Sequence, residues 1–353
     1  MEPLDLRNFG TRLISYDHFL RSALALLPVL LFLAALWTVD SYKLVPRRMV
    51  LSTLAAGGAS AIFCYAFNSL VFHYFPETQA QYARWGAPAV EELSKAAFWI
   101  FLIATARVAF LVDSAICGFA IGAGFALIEN VFFLQALNDK SAAIWVLRGF
   151  GTAIMHGGVA AIAAVISAYL LESRQWRGVA LYAPGLLVAI ALHSIFNQGL
   201  ISPVASMTVA VAGLPILLGL VFYFSEQSLR KWLGGKMDED IDLISTIASS
   251  EFQHSRAGLY LASLSKAFPP EICGDMLSML QLTTELSMRS KSDLLFREAG
   301  IELPPDAELA GQLTELKFLE KSIGPTGMVA LRPLLAQTPR DLWEMHHLGK
   351  AKG

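Results

Sequence analysis

The stretch Ala87-Pro88-Ala89-Val90-Glu91-Glu92-Leu93-Ser94-Lys95-Ala96-Ala97-Phe98-Trp99-Ile100-Phe101-Leu102 has the length and apolar content of a membrane-spanning helix, yet it carries three charges. Charge at bilayer depth is expensive, and where it is retained it faces a bundle interior or a wet cavity and does work there. Three further apolar segments repeat the pattern. Glu129 lies in Gly124-Phe125-Ala126-Leu127-Ile128-Glu129-Asn130, His156 in Ala153-Ile154-Met155-His156-Gly157-Gly158, and His193 with Asn197 in Ala191-Leu192-His193-Ser194-Ile195-Phe196-Asn197.

Outward from these motifs the chain has the composition of a polytopic membrane protein: 353 residues, 55% hydrophobic, with a mean hydropathy of +0.52. Charge is thin over residues 1–224, with 13 Lys/Arg and 11 Asp/Glu, and dense over the last 129 residues, with 14 and 18. A net charge of -2 without a basic run offers no footprint for nucleic acid. Cys64, Cys117 and Cys273 are too scattered for a disulfide framework or a Cys-x-x-Cys metal site. No removable signal peptide is read at the N-terminus.

A span needs roughly 17–25 mostly apolar residues. That criterion predicts an all-α membrane bundle of about seven transmembrane helices, near 21–39, 50–74, 86–106, 108–137, 142–171, 178–200 and 204–224. A short N-terminal segment, 1–20, precedes the bundle at 21–224, and a helical cytosolic region, 225–353, follows it, with breaks at Pro269-Pro270, Pro304-Pro305 and Gly324-Pro325. Lys/Arg bias in the loops sets the orientation. With the C-terminus inside, nine basic residues (Lys43, Arg47, Arg48, Arg107, Arg174, Arg177, Arg230, Lys231, Lys236) are cytoplasmic and five (Arg7, Arg12, Arg21, Arg84, Lys140) lie outside.

Alternating helix direction turns these spans into a depth test. At 1.5 Å per residue, Glu91 and Glu92 lie about 8 Å from the outer end of their span, Glu129 about 12 Å and His193 about 10 Å. His156 reaches a comparable depth if Arg148 marks the interface. The four motifs therefore fall in one half of the bilayer. Residues four apart share a helix face, which sets Glu91 beside Lys95, Phe125 beside Glu129, and His193 beside Asn197.

Carboxylates and imidazoles around a wet pocket permit hydrolysis: a glutamate takes a proton from water while His and Asn groups stabilise an oxyanion. A second form places zinc between His156, His193 and a glutamate such as Glu129, because two histidines, one carboxylate and an open position make a known catalytic set. Spacing does not choose between them. No His-Glu-x-x-His or Gly-x-Ser-x-Gly occurs. Arg148 reads as an interface anchor or as a partner of Glu129. An intramembrane Glu/His/Lys set also suits a proton- or cation-coupled transporter, although no internal repeat supports one. A catalytically inactive membrane scaffold is a third reading.

Glu-Glu-x-x-Lys at Glu91, Glu92 and Lys95, then Phe-x-x-x-Glu at Phe125 and Glu129 with Asn130, then Arg148 and His156, then His193 and Asn197, together resemble the PrsW intramembrane proteases of the CAAX-protease and bacteriocin-processing superfamily. The resemblance covers about residues 85–200. It implies an endopeptidase of the bacterial cytoplasmic membrane, embedded in the lipid bilayer, that cuts a membrane protein substrate such as a single-pass regulator or anti-sigma factor. By the same resemblance Glu91 and Glu92 supply the general base, Glu129 and His156 belong to the water-activating or metal-binding set, and His193 with Asn197 binds the oxyanion or metal. Whether zinc takes part stays open, and the tail after residue 225 looks like an addition to the family core.

Overall fold

A computed structural model describes residues 16–137, 141–172, 178–301, 307–335 and 338–350, and every regular element among them is helical. Arg7, Arg12, Lys140, Arg174, Arg177 and Pro304-Pro305 fall outside the described residues, as do the side chains of His346 and His347. The chain divides into two compact units, residues 1–225 and 226–353.

The first unit holds α1 (Tyr16–Val39), α2 (Arg47–Tyr74), α3 (Ala87–Ala104), α4 (Leu111–Ala136), α5 (Ala142–Glu172), α6 (Ala183–Gln198) and the start of α7 (Pro203–Ile247). Each of the seven expected spans is therefore a helix. Five among the described residues, α1, α2, α4, α5 and α7, are long and apolar enough to cross a membrane. The remaining two fall short for identifiable reasons. α3 has three charges in 18 residues, and α6 has only 16 residues, about 24 Å of helix against a hydrocarbon core of about 30 Å. These two carry Glu91, Glu92, Lys95 and His193, while Glu129 and His156 come from the longer α4 and α5.

α4 is the central rod, buried over most of its length and packed against α1, α2, α3 and α5. Its start is fixed by Asp113, whose carboxylate accepts the Ala109 and Phe110 N–H groups at 2.9 Å each; an acidic side chain in the first turn satisfies otherwise orphaned donors. Small residues let the backbones meet. A methyl on Gly57 of α2 would stand 1.8 Å from the Ile121 carbonyl oxygen, and one on Gly122 would stand 2.1 Å from that of His156. The second of these contacts presses the His156 turn of α5 onto α4.

Two π-helical turns interrupt the regular ladder: Tyr82–Gly86 directly before α3, and Leu147–Thr152 within α5. Such turns re-aim the residues they carry and recur at functional sites.

α7 continues as one helix through Gly234-Gly235 to Ile247 rather than ending near residue 224. In the second unit, α8 (Arg256–Leu264), α9 (Pro270–Glu298), α10 (Ala307–Leu331) and α11 (Pro339–Lys350) enclose a core that includes Met276, Leu280, Leu286, Leu319 and Leu331. Pro270 opens α9, and Gly324, at φ 71°, bends α10 just before Pro325. A polar cluster is buried there: Lys291 meets Asp240 at 2.7 Å, Ser287 at 2.5 Å and Glu344 at 3.2 Å.

Candidate active site

α3 presents Glu92 and Lys95 to the bundle interior and Glu91 to its edge. Lys95 is fully buried and Glu92 only 2% exposed, against 13% for the side chain of Glu91. The Lys95 ammonium donates to Glu92 Oε1 at 2.5 Å, so the buried cation pairs with the residue three positions back. Spacing alone set it beside Glu91, four positions back. Both spacings reach one helix face, and the roll of α3 decides between them. Lys95 also stands 4.5 Å above the Phe125 ring, a contact that gives this aromatic residue of α4 a cation-binding face.

The same Glu92 oxygen lies 2.7 Å from His193 Nδ1 of α6. An ionised carboxylate only accepts, so His193 Nδ1 is the donor, and in the neutral ring Nε2 is then the nitrogen with the lone pair. Nε2 is 3.8 Å from Glu91 Oε2. On α5, His156 is buried beside Phe125, with ring centroids 5.0 Å apart, and its ring meets that of His193 edge to face at 4.8 Å. Lys95 Nζ approaches His156 Nδ1 at 3.1 Å. An ammonium only donates, so Nδ1 is the acceptor and the Nε2–H faces Glu129 Oε2 at 3.3 Å.

Glu129, on α4, is a quarter exposed and is held by Arg148, whose Nη2 donates to Oε2 at 3.0 Å while Nε donates to Asn130 Oδ1 at 2.8 Å. Arg148 sits in the second π turn and lies 3.7 Å over the Phe133 ring. Thus Glu91, Glu92, Glu129, His156 and His193 converge from four helices. Asn197 does not join them: it is exposed, and its amide donates to the Ala83 carbonyl of the first π turn at 3.1 Å. Sequence reasoning offered Arg148 as a partner of Glu129, which the structure bears out; it missed the contacts of Lys95 with His156 and of Arg148 with Asn130, and the adjacency of Glu129 and Asn130 was the available signal for the second.

One ligand atom each from Glu91, His156 and His193 lies within 4.8 Å of the others. Two imidazoles and a carboxylate are a donor set that zinc accepts. His193 is prepared for the role, because its far nitrogen is anchored on a carboxylate, the usual support of a ligating histidine. The residues present therefore fit a metal ion. Glu129, named from sequence as the third ligand, touches His156 but is committed to Arg148. The structure instead gathers Glu91 with the two histidines.

Residues 45–224, about half of the chain, match the model of a family described as PrsW family intramembrane metalloprotease. Comparison with curated proteins and with solved structures returned no match.

Proposed function

Because the chain belongs to the PrsW family of intramembrane metalloproteases, we propose that it cleaves its membrane protein substrate at the convergence of Glu91, Glu92, Glu129, His156 and His193. The supporting observation is that three ligand atoms from three different helices approach within 4.8 Å. Nothing in local sequence forces such an approach.

His156, His193 and Glu91 would hold the ion, and we take zinc as the best fit to two imidazoles and a carboxylate. When bound, it supplies Lewis acidity to the attacking water and to the scissile carbonyl. The protein's own groups do the rest. Glu92 keeps the His193 proton on Nδ1, so that Nε2 points inward as a lone pair. Lys95 balances the Glu92 charge in a dry setting and holds His156 Nδ1 as an acceptor. A neutral His156 would offer the ion Nδ1, the nitrogen without a proton, with Lys95 then paired to Glu92 alone and the Nε2–H kept on Glu129 at 3.3 Å. Among these carboxylates Glu129 is the one most open to solvent, which suits it to take the proton from the attacking water. Asn197 acts from the rim, tying the end of α6 to the turn that launches α3.

The substrate we infer is a single-pass regulator of the anti-sigma type in a bacterial cytoplasmic membrane, cut toward the outer leaflet, with the N-terminus of the enzyme outside and its 225–353 region in the cytoplasm. The test is cleavage of a membrane-anchored reporter by the purified full chain in liposomes. Glu91→Ala, His193→Ala and Glu129→Ala should each reduce turnover at least 100-fold, and a strong chelator should abolish it until zinc is restored. Wild-type turnover in all three variants would remove the proposal. Reporter enzymes fused to either terminus check the orientation.

A further inference from the structure

We propose that Arg148 is a positioning residue: anchored through Asn130 to α1, it holds the Glu129 carboxylate against His156. The proposal rests on the protease reading above. It adds a device built partly from a helix outside residues 45–224, the stretch that matches the family.

The geometry is that of a fork. Arg148 gives one N–H to Glu129 Oε2 at 3.0 Å and another to Asn130 Oδ1 at 2.8 Å, so two successive residues of α4 are read by one planar group. Asn130, which is buried, then spends its own amide on the Ala25 carbonyl of α1 at 2.7 Å. The next residue of the π turn closes the arrangement, since a methyl on Gly149 would stand 2.0 Å from the Leu24 carbonyl oxygen. The Phe133 ring beneath the guanidinium, at 3.7 Å, blocks a further direction of escape. Glu129 has one oxygen shared between Arg148 and His156 Nε2, so any swing of the guanidinium is passed directly to the histidine.

This assignment separates Arg148 from a plain interface anchor. An anchor needs only positive charge near the headgroups, and lysine would serve as well. A fork onto a carboxylate and an amide needs the guanidinium, which lysine cannot reproduce.

The experiment is a double-mutant cycle on the full chain in liposomes, using Arg148→Gln, Glu129→Gln and the pair, with Arg148→Lys as the conservative variant. Reporter cleavage is resolved into kcat and KM, and Zn2+ affinity is measured by chelator competition. Arg148→Gln should lower kcat 10–100-fold with KM within about twofold, and weaken Zn2+ binding by a similar factor, the usual size of losses in a ligand's supporting shell. The double variant should be no slower than Glu129→Gln alone, and Arg148→Lys should recover only part of the loss. Losses that multiply in the double variant, or full recovery by lysine, would overturn the clamp. Failure of the protease reading is scored separately, by Glu91→Gln and His193→Ala turning over the reporter at the wild-type rate. In that event unchanged Zn2+ affinity in Arg148→Gln overturns the clamp, and weakened affinity sustains it.

Discussion

Lys95 has no exposed surface, and it satisfies two elements at once, Glu92 on its own helix and His156 on α5. Removing one partner of a buried ion pair strands the other and costs about 3–5 kcal/mol, whereas removing both can be nearly neutral. Lys95→Met should therefore lower the unfolding midpoint of the detergent-solubilised protein by several degrees, and adding Glu92→Gln should restore most of the loss. An equal or larger fall in the double variant would show that the pair does not act as a unit. The two carboxylates beside each other were legible in sequence because charge in an apolar run is conspicuous. Which of them meets Lys95 was not, since positions three and four apart face the same way and the choice depends on the roll of α3 against α6. The partner of Asn197 was not legible either: its spacing from His193 is helical, but α6 ends at Gln198 and the Asn197 amide donates to the Ala83 carbonyl.

Among the elements, α4 and α5 meet through glycine, and the position of His156 depends on that contact. A Cβ at Gly122 would stand 2.1 Å from the His156 carbonyl oxygen, backbone that cannot step aside without moving α5. Gly122→Ala should reduce reporter cleavage by at least tenfold. Gly219→Ala, on an exposed stretch of α7 with open space around it, should leave cleavage unchanged; equal behaviour of the two variants would dismiss the close contact as the cause. Helix existence was legible for all of these elements because apolar length announces it. The π turn of α5 was not, because an extra residue in a turn leaves hydropathy unchanged while it rotates Arg148 toward Glu129. In the second unit, α11 docks on α9 through Glu344, 1% exposed, which accepts from Ser287 at 2.8 Å. Burial raises the Glu344 carboxyl to about 7 from 4.5, with nearby Lys291 opposing and losing. A folded value above the unfolded one gives stability that is complete below about 4.5 and is lost as pH rises through 7. Amides of α11 should thus exchange faster at pH 8 than at pH 5.5 after correction for intrinsic rates. Glu344→Gln should flatten that dependence, and an unchanged slope in the variant would refute the assignment to Glu344.

At the scale of the molecule, the depth argument is what made the site legible. Groups near the start of α3 and near the end of α4 and α6 must share a level if the helices alternate, and a shared level permits the contacts of α3 with α6 at 2.7 and 3.8 Å and of α4 with α5 at 3.3 Å without requiring them. The ligand set was not legible, because it depends on the tertiary approach of Glu91 to two histidines on other helices. The second unit stayed silent in sequence for a simpler reason: its helices bury an ordinary core and a neutralising cluster around Lys291. Every group placed in the catalytic proposal, from Ala83 to Asn197, lies in the first unit, residues 1–225. A chain ending at Gly235 keeps all of them, along with the basic pair Arg230 and Lys231 that follows the apolar part of α7. Such a chain should cleave a short membrane-anchored reporter within about threefold of the full protein, because nothing that touches the reacting atoms has been removed. It should differ, if at all, in KM for a long natural substrate that reaches the second unit. A drop of more than tenfold in kcat on the short reporter, with the truncated protein still folded by its helical signal and binding Zn2+ as tightly as before, would show that residues 236–353 act on the chemistry itself.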